Sequence, residues 1–164
     1  MKFKNFLNLK NNKKIKKDFI NLIKDQPKLF ETLKPTYKYS YSKKKIARYK
    51  KFSNIRIIGM GGSILGTEAI YDFLKKKIKK KLTFVNNLNS NMNYFQDKNI
   101  NLNLIISKSG NTLETIANAN TLIKNSESNI VITEDKDSYL TNLANKLKAE
   151  IFEHKNYVGG RYSV

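Results

Sequence analysis

Ile55-Arg56-Ile57-Ile58-Gly59-Met60-Gly61-Gly62-Ser63-Ile64-Leu65-Gly66 runs from a short apolar segment through a cluster of glycines into a stretch with helical spacing. This order reads as a buried strand, a tight turn and a helix, because β-branched runs suit strands and glycine turns where a side chain would clash. The alternation recurs downstream. Ile55–Met60 leads to a helical stretch at Ser63–Lys76, Leu82–Val85 to Asn91–Asp97, and Leu102–Ser107 to Thr112–Lys124. Ile130–Thr133 then leads to Ser138–Lys148, with Glu150–Phe152 last. Short apolar runs separated by helices predict βαβ units and a parallel sheet, and right-handed crossovers place helices on both of its faces. The predicted fold is α/β, a three-layer αβα sandwich around a five-stranded parallel sheet, over residues 54–164.

Residues 1–53 differ in kind. They hold both prolines, Pro27 and Pro35, no glycine, and lysine clusters at Lys13–Lys17 and Lys43–Lys45. Phe19, Ile20, Leu22 and Ile23 predict a short amphipathic helix, and Leu29, Phe30 and Leu33 a second one begun near Pro27. Tyr37, Tyr39 and Tyr41 alternate with Lys38 and Ser40, which suits an extended segment laying its rings on a neighbouring surface, with a basic–aromatic nucleic-acid strip as the alternative. The region reads as an N-terminal helical arm attached to the 54–164 domain.

Across the whole chain of 164 residues, 40% are hydrophobic, enough to bury a core. No cysteine is present, which excludes disulfides, a thiol nucleophile and any cysteine-ligated metal or cluster. No apolar run approaches the length needed to cross a bilayer, and Met1–Lys17 lacks the apolar core of a signal peptide. The expected location is the cytoplasm. The formal charge of +19 invites a nucleic-acid reading, yet of 32 cations only Arg48, Arg56 and Arg161 are arginine. Arginine is the bidentate reader of phosphates and base edges, so a specific nucleic-acid surface would use more of it. Lysine, asparagine and isoleucine are enriched together, as A/T-rich codons would produce. Salt-sensitive, non-specific binding to polyanions follows either way.

In a doubly wound sheet, ligands sit beyond the carboxyl ends of the strands. Two loops there stand out. The first, Gly59–Gly66, offers backbone N–H groups and a helix N-terminus to an anion. A dinucleotide fingerprint would need glycine where Ile64 stands and an acid after the second strand, where Asn86 and Asn87 stand; the Gly-Lys-Ser/Thr ending of a Walker loop is absent too. The second, Ser107-Lys108-Ser109-Gly110-Asn111-Thr112, places three hydroxyls, an ammonium and a glycine between a strand and a helix, a set suited to a phosphate dianion. Ser109 or Thr112 can equally cap the helix, and the two roles are compatible. Together the loops predict a site for a phosphorylated metabolite.

These two loops, with Gly159-Gly160-Arg161-Tyr162-Ser163 after them, resemble the glucose-6-phosphate isomerase family, and within it the first sugar-isomerase (SIS) domain. The resemblance spans about Asn54 to Val164. It implies that Gly62 and Ser63 touch the sugar phosphate, that Ser107, Lys108, Ser109 and Thr112 hold its phosphate, and that Arg161 stabilises the enediolate. It implies interconversion of glucose 6-phosphate and fructose 6-phosphate, with no metal and no organic cofactor. The sequence stops just after the Gly-Gly-Arg-Tyr-Ser motif, where the family continues into a second SIS domain that carries the catalytic glutamate, a histidine and a late lysine. The chain thus reads as the N-terminal portion of the enzyme, lacking its base and expected to be inactive alone. It is expected to self-associate or to need a complementary C-terminal half. Glu68, Glu114, Glu127, Glu134, Glu150 and Glu153 read as helix-surface or loop charges, and His154 as an exposed or packing residue. Two alternatives stay open: a stand-alone SIS module that binds or senses a sugar phosphate without turnover, and a basic nucleic-acid-binding protein.

Overall fold

The computed structural model describes residues 13–25, 27–88, 102–124 and 126–160. The chain forms two compact units, Met1–Lys38 and Tyr39–Val164. In the first, helices α1 (Lys13–Asp25) and α2 (Pro27–Glu31) follow one another. Pro27 opens α2, where its missing N–H would have no helical acceptor anyway. Phe19 and Phe30 meet edge to face with ring centroids 6.2 Å apart.

The second unit opens with α3 (Lys43–Ala47), whose N-cap Ser42 accepts a hydrogen bond from the Lys45 N–H at 3.2 Å. The sheet follows: β1 (Asn54–Gly59), a 3-10 turn (Gly61–Ser63), α4 (Leu65–Leu74), β2 (Lys81–Val85), β3 (Leu102–Ile106), α5 (Leu113–Leu122), β4 (Ser128–Thr133), α6 (Tyr139–Leu147) and β5 (Glu150–Glu153). The helix expected at Asn91–Asp97 lies outside the described residues. All four strand pairings are parallel, in the order β2-β1-β3-β4-β5. The α/β fold with five parallel strands is as the sequence predicts.

Successive strand residues serve opposite faces. Ile58, Val85, Ile105 and Val131 pack under Ala119 and Leu122 of α5 and Leu140 and Ala144 of α6. Ile57 and Ile106 pack with Ile64 on the other face, where Tyr71 of α4 lies against Phe84, centroids 5.6 Å apart. Helices therefore cover both faces, making three layers. Residues 39–53, grouped with the arm in the sequence reading, belong to the sheet unit. Tyr49 and Phe52 pack beside Leu102, Ile130 and Phe152, and Glu150 accepts from the Tyr49 hydroxyl at 2.7 Å and pairs with Arg48. The tyrosine rings depart from expectation: Tyr39 and Tyr41 stack on each other, centroids 5.2 Å apart, and remain exposed.

Among the described residues, no helix is long and apolar enough to cross a membrane.

Candidate functional site

Gly59 ends β1 in register with Ile106, the last residue of β3. From these adjacent ends the chain departs in opposite directions: α4 leads to β2 on one side, and α5 leads to β4 on the other. A gap between two such departing connections is where doubly wound sheets bind ligands. The two loops singled out in the sequence flank it.

In the first loop, Gly61 has φ +52°, a left-handed conformation that opens the 3-10 turn. Gly62 and Ser63 complete that turn, both half-buried, and the Ser63 N–H donates to the Met60 carbonyl at 3.1 Å. Ile64 is fully buried and anchors the turn to the sheet. The side chain at the start of α4 makes no cap.

The second loop is tied down more firmly. Ser107 continues the ladder, its N–H donating to the Ile132 carbonyl at 3.1 Å, and its side chain is buried. The Ser107 and Thr112 hydroxyls lie 2.9 Å apart, with the Ser109 hydroxyl 3.4 Å from each. Thr112 occupies the N-cap of α5, but its side chain makes no cap bond; the hydroxyl turns to Ser107. Capping is therefore not what Thr112 does here, and the α5 N-terminus keeps N–H groups that its cap residue leaves unpaired. Ser109 Oγ accepts from the Asn111 N–H at 3.2 Å. Gly110 has φ +70°, and a Cβ on it would fall 2.2 Å from Ser138 Oγ. The loop crest also docks on α6, with the Leu140 N–H donating to the Gly110 carbonyl at 3.0 Å and the Tyr139 N–H to Asn111 Oδ1 at 2.9 Å. Three hydroxyls, a positive helix end and a rigid turn make a donor set whose chemistry suits an anion.

Lys108 belongs to the same loop. Its ammonium donates to the Asn156 carbonyl at 2.6 Å and lies 3.9 Å from Glu134 Oε1. A Cβ on Gly159 would sit 3.6 Å from Lys108 Nζ, so Gly159 comes alongside the end of the Lys108 side chain. Arg161 lies outside the described residues.

The carboxylates are more engaged than the sequence suggests. Glu134 bridges Lys108 and Lys136, the latter at 2.6 Å, and its hydrogen bond to Lys136 holds its carboxyl below the ordinary value of 4.5 against the opposing effect of burial. Glu127 lies in the loop between α5 and β4, yet it is not a solvated charge: its side chain is buried, accepts from Asn103 Nδ2 at 2.7 Å, and lies 3.6 Å from Arg56 Nη1. Arg56 is fully buried in β1 and donates to Asn103 Oδ1 at 3.1 Å and to the Leu122 carbonyl at 2.8 Å. Sequence reasoning missed this network; the sign available was a charged residue interrupting a buried run. Both described arginines make internal contacts, Arg56 in this network and Arg48 with Glu150. His154 is buried, with Nδ1 3.0 Å from the Lys155 carbonyl. Because a carbonyl only accepts, the proton sits on Nδ1.

The family model described as Phosphoglucose isomerase matches residues 6–164. A glucose-6-phosphate isomerase from Borreliella afzelii is 35% identical over 136 residues, covering 73% of this chain and 26% of that protein. One from Methanocaldococcus jannaschii is 39% identical over 124 residues, covering 69% of this chain and 30% of that protein. The chain thus spans between a quarter and a third of these relatives. Among solved structures, a hypothetical protein from Thermus thermophilus matches with TM-score 0.64 at 19% identity, over 90% of this chain and 42% of that one. The Vibrio vulnificus NanR protein complexed with ManNAc-6P matches with TM-score 0.51 at 20% identity, over 90% of this chain and 53% of that one. These likenesses concern the fold. With its family model matched over residues 6–164, the chain belongs to the phosphoglucose isomerase family.

Proposed function

We propose that this chain supplies the phosphate-binding side of an aldose–ketose isomerase that interconverts glucose 6-phosphate and fructose 6-phosphate through an enediolate. The observation that supports this most is the partly buried Ser107–Thr112 hydroxyl pair, 2.9 Å apart, set where the chain parts between β1 and β3. In this reading Ser107, Ser109 and Thr112 donate to the phosphate, Lys108 supplies a point charge, and Gly62 and Ser63 meet the sugar from the neighbouring loop. Arg161, following Gly159–Gly160, stabilises negative charge on the enediolate. The base that moves the proton between C1 and C2 is assigned to no residue of this chain. It would come from further chain or from a partner, a complementary half or a second copy.

Titration with fructose 6-phosphate, followed through the Gly110 and Asn111 amide resonances, tests the reading. Saturable binding that weakens about tenfold or more in Ser107→Ala and Lys108→Ala supports it, since each variant removes a hydrogen bond to a charged group. Binding unaffected by both substitutions overturns it. Turnover by the purified 164-residue chain would overturn the assignment of the base elsewhere. A stand-alone module that binds without turnover is the second reading, favoured by the engagement of Glu134 with two lysines. Binding without isomerisation after the missing partner has been supplied would select it.

A further inference from the structure

The lysines of the sheet unit are sorted toward one end of its strands. Lys43–Lys51 and Lys75–Lys80 contain no aspartate or glutamate, and these stretches lead into β1 and β2. Contacts join them into one edge. On one side Arg48 pairs with Glu150, the first residue of β5, and Lys45 Nζ lies 3.7 Å from the same carboxylate. Tyr49 and Phe52 then pack beside Leu102, Ile130 and Phe152. On the other side Lys80 Nζ donates to the Lys50 carbonyl at 2.8 Å, and the Lys81 N–H to the Ser53 carbonyl at 2.8 Å. Residues 43–53 therefore run as a strap from β5 to β2, the two edges of the sheet, a width of about 19 Å at about 4.8 Å per strand. The opposite ends of the strands are balanced: Lys108 and Lys136 face Glu134, and Lys155 pairs with Glu153. A/T-rich codons raise the number of lysines but do not sort them to one end of a sheet. Ahead of the strap, Tyr39 and Tyr41 stack on each other, 62% and 44% exposed, with only the α3 cap Ser42 between Tyr41 and Lys43.

We propose that Tyr39–Lys51, with Lys75–Lys80 beside it, is a binding surface for single-stranded nucleic acid, at the end of the sheet away from the Ser107–Thr112 loop. Bases stack on the exposed ring pair, and the lysines neutralise successive phosphates. Lysine is a point charge without the bidentate fork of arginine, which suits a grip that does not read sequence. At about 3.4 Å per phosphate along a stacked strand, the strap accommodates about six nucleotides.

Fluorescence anisotropy of the full chain with a labelled oligouridylate of about ten nucleotides tests this, with inorganic polyphosphate and phosphatidylglycerol vesicles as probes that lack bases. Tyr39→Ala weakens oligouridylate binding about tenfold and leaves polyphosphate binding unchanged, while Tyr39→Phe, which keeps the ring, binds as the wild type does. Lys50→Gln together with Lys51→Gln lowers the slope of log affinity against log salt by about 1.4, because each lost phosphate contact removes about 0.7. Removing two charges at the other end, in Lys136→Gln with Lys155→Gln, leaves the slope as it was. Equal losses in the two double variants overturn the placement. Parallel loss of oligouridylate and polyphosphate binding in Tyr39→Ala, or equal weakening by Tyr39→Phe, overturns the stacking and with it the nucleic-acid assignment. Tighter binding to the vesicles than to the oligonucleotide at the same salt overturns that assignment in favour of a lipid surface. Should Tyr39→Ala fail to fold, Tyr41→Ala carries the same comparison.

Discussion

A side chain at position 110 would have nowhere to go. The φ of +70° disfavours any L residue, and the built Cβ falls 2.2 Å from Ser138 Oγ and 2.9 Å from Thr133 Oγ1. Both obstacles belong to rigid elements, the end of β4 and the N-cap of α6. Gly110→Ala should therefore destabilise the fold by at least about 2 kcal/mol, combining backbone strain with displaced packing. A urea unfolding curve checks this, and an unchanged midpoint would contradict the geometry. Ser107 carries the complementary expectation. Its hydroxyl accepts from the Gly110 N–H at 3.2 Å and faces Thr112, so Ser107→Ala should lose anion binding and also loosen the loop. The sequence made this loop legible as a hydroxyl-rich strand-to-helix turn because hydroxyls, lysine and glycine crowd between a strand and a helix. It could not reveal that Thr112 abandons its capping role, since that depends on Ser107 Oγ being the nearer partner. Nor could it place Lys108 on Asn156, a contact between residues 48 positions apart.

Strands and helices are the most readable level, and the reason is periodicity. Every described strand coincides with an apolar run, shifted by a residue or two at its ends. The exceptions are polar. Arg56, Asn103 and Asn129 sit on one face of three neighbouring strands, and Glu127 joins them under the end of α5. Removing one partner leaves the other charge buried. Arg56→Met should cost about 3–5 kcal/mol, and adding Glu127→Gln should return part of that loss. Differential scanning calorimetry of the single and double variants measures it; simple additivity would show that the pair is not coupled.

The edge strand β5 is secured differently. Burial, reinforced by the hydrogen bond to Glu150, pushes the Tyr49 hydroxyl up to about 12. The unfolded phenol ionises near 10.0, so this contribution to stability is complete below that value and fades as pH rises through about 12. Ultraviolet titration should show a late tyrosine step near pH 12, and Tyr49→Phe should remove it. Residues 39–53 resist assignment from sequence because lysine-rich, glycine-free chain looks alike whether it wanders or packs; two rings, Tyr49 and Phe52, decide the matter.

At the scale of the molecule, the charge of +19 hides an apolar surface. On α4, Phe73 is 87% exposed and Ile70 59% exposed, on the layer opposite α5 and α6. Patches of this kind drive association. The isolated chain should form oligomers or aggregates as concentration rises, and Phe73→Glu should shift sedimentation toward the monomer. A wild type that stays monomeric at high concentration would refute this.

The parting of the chain between β1 and β3 has a consequence for inheritance. The position of the gap between the two loops follows from the order in which strands are joined, β2-β1-β3-β4-β5, and from no individual side chain. Point mutation can refill it or empty it but cannot relocate it. A lineage whose codons drift toward lysine and asparagine can thus rewrite most of its surface while each generation finds that gap in the same place. Only a rearrangement of the gene that reconnects the strands would move it.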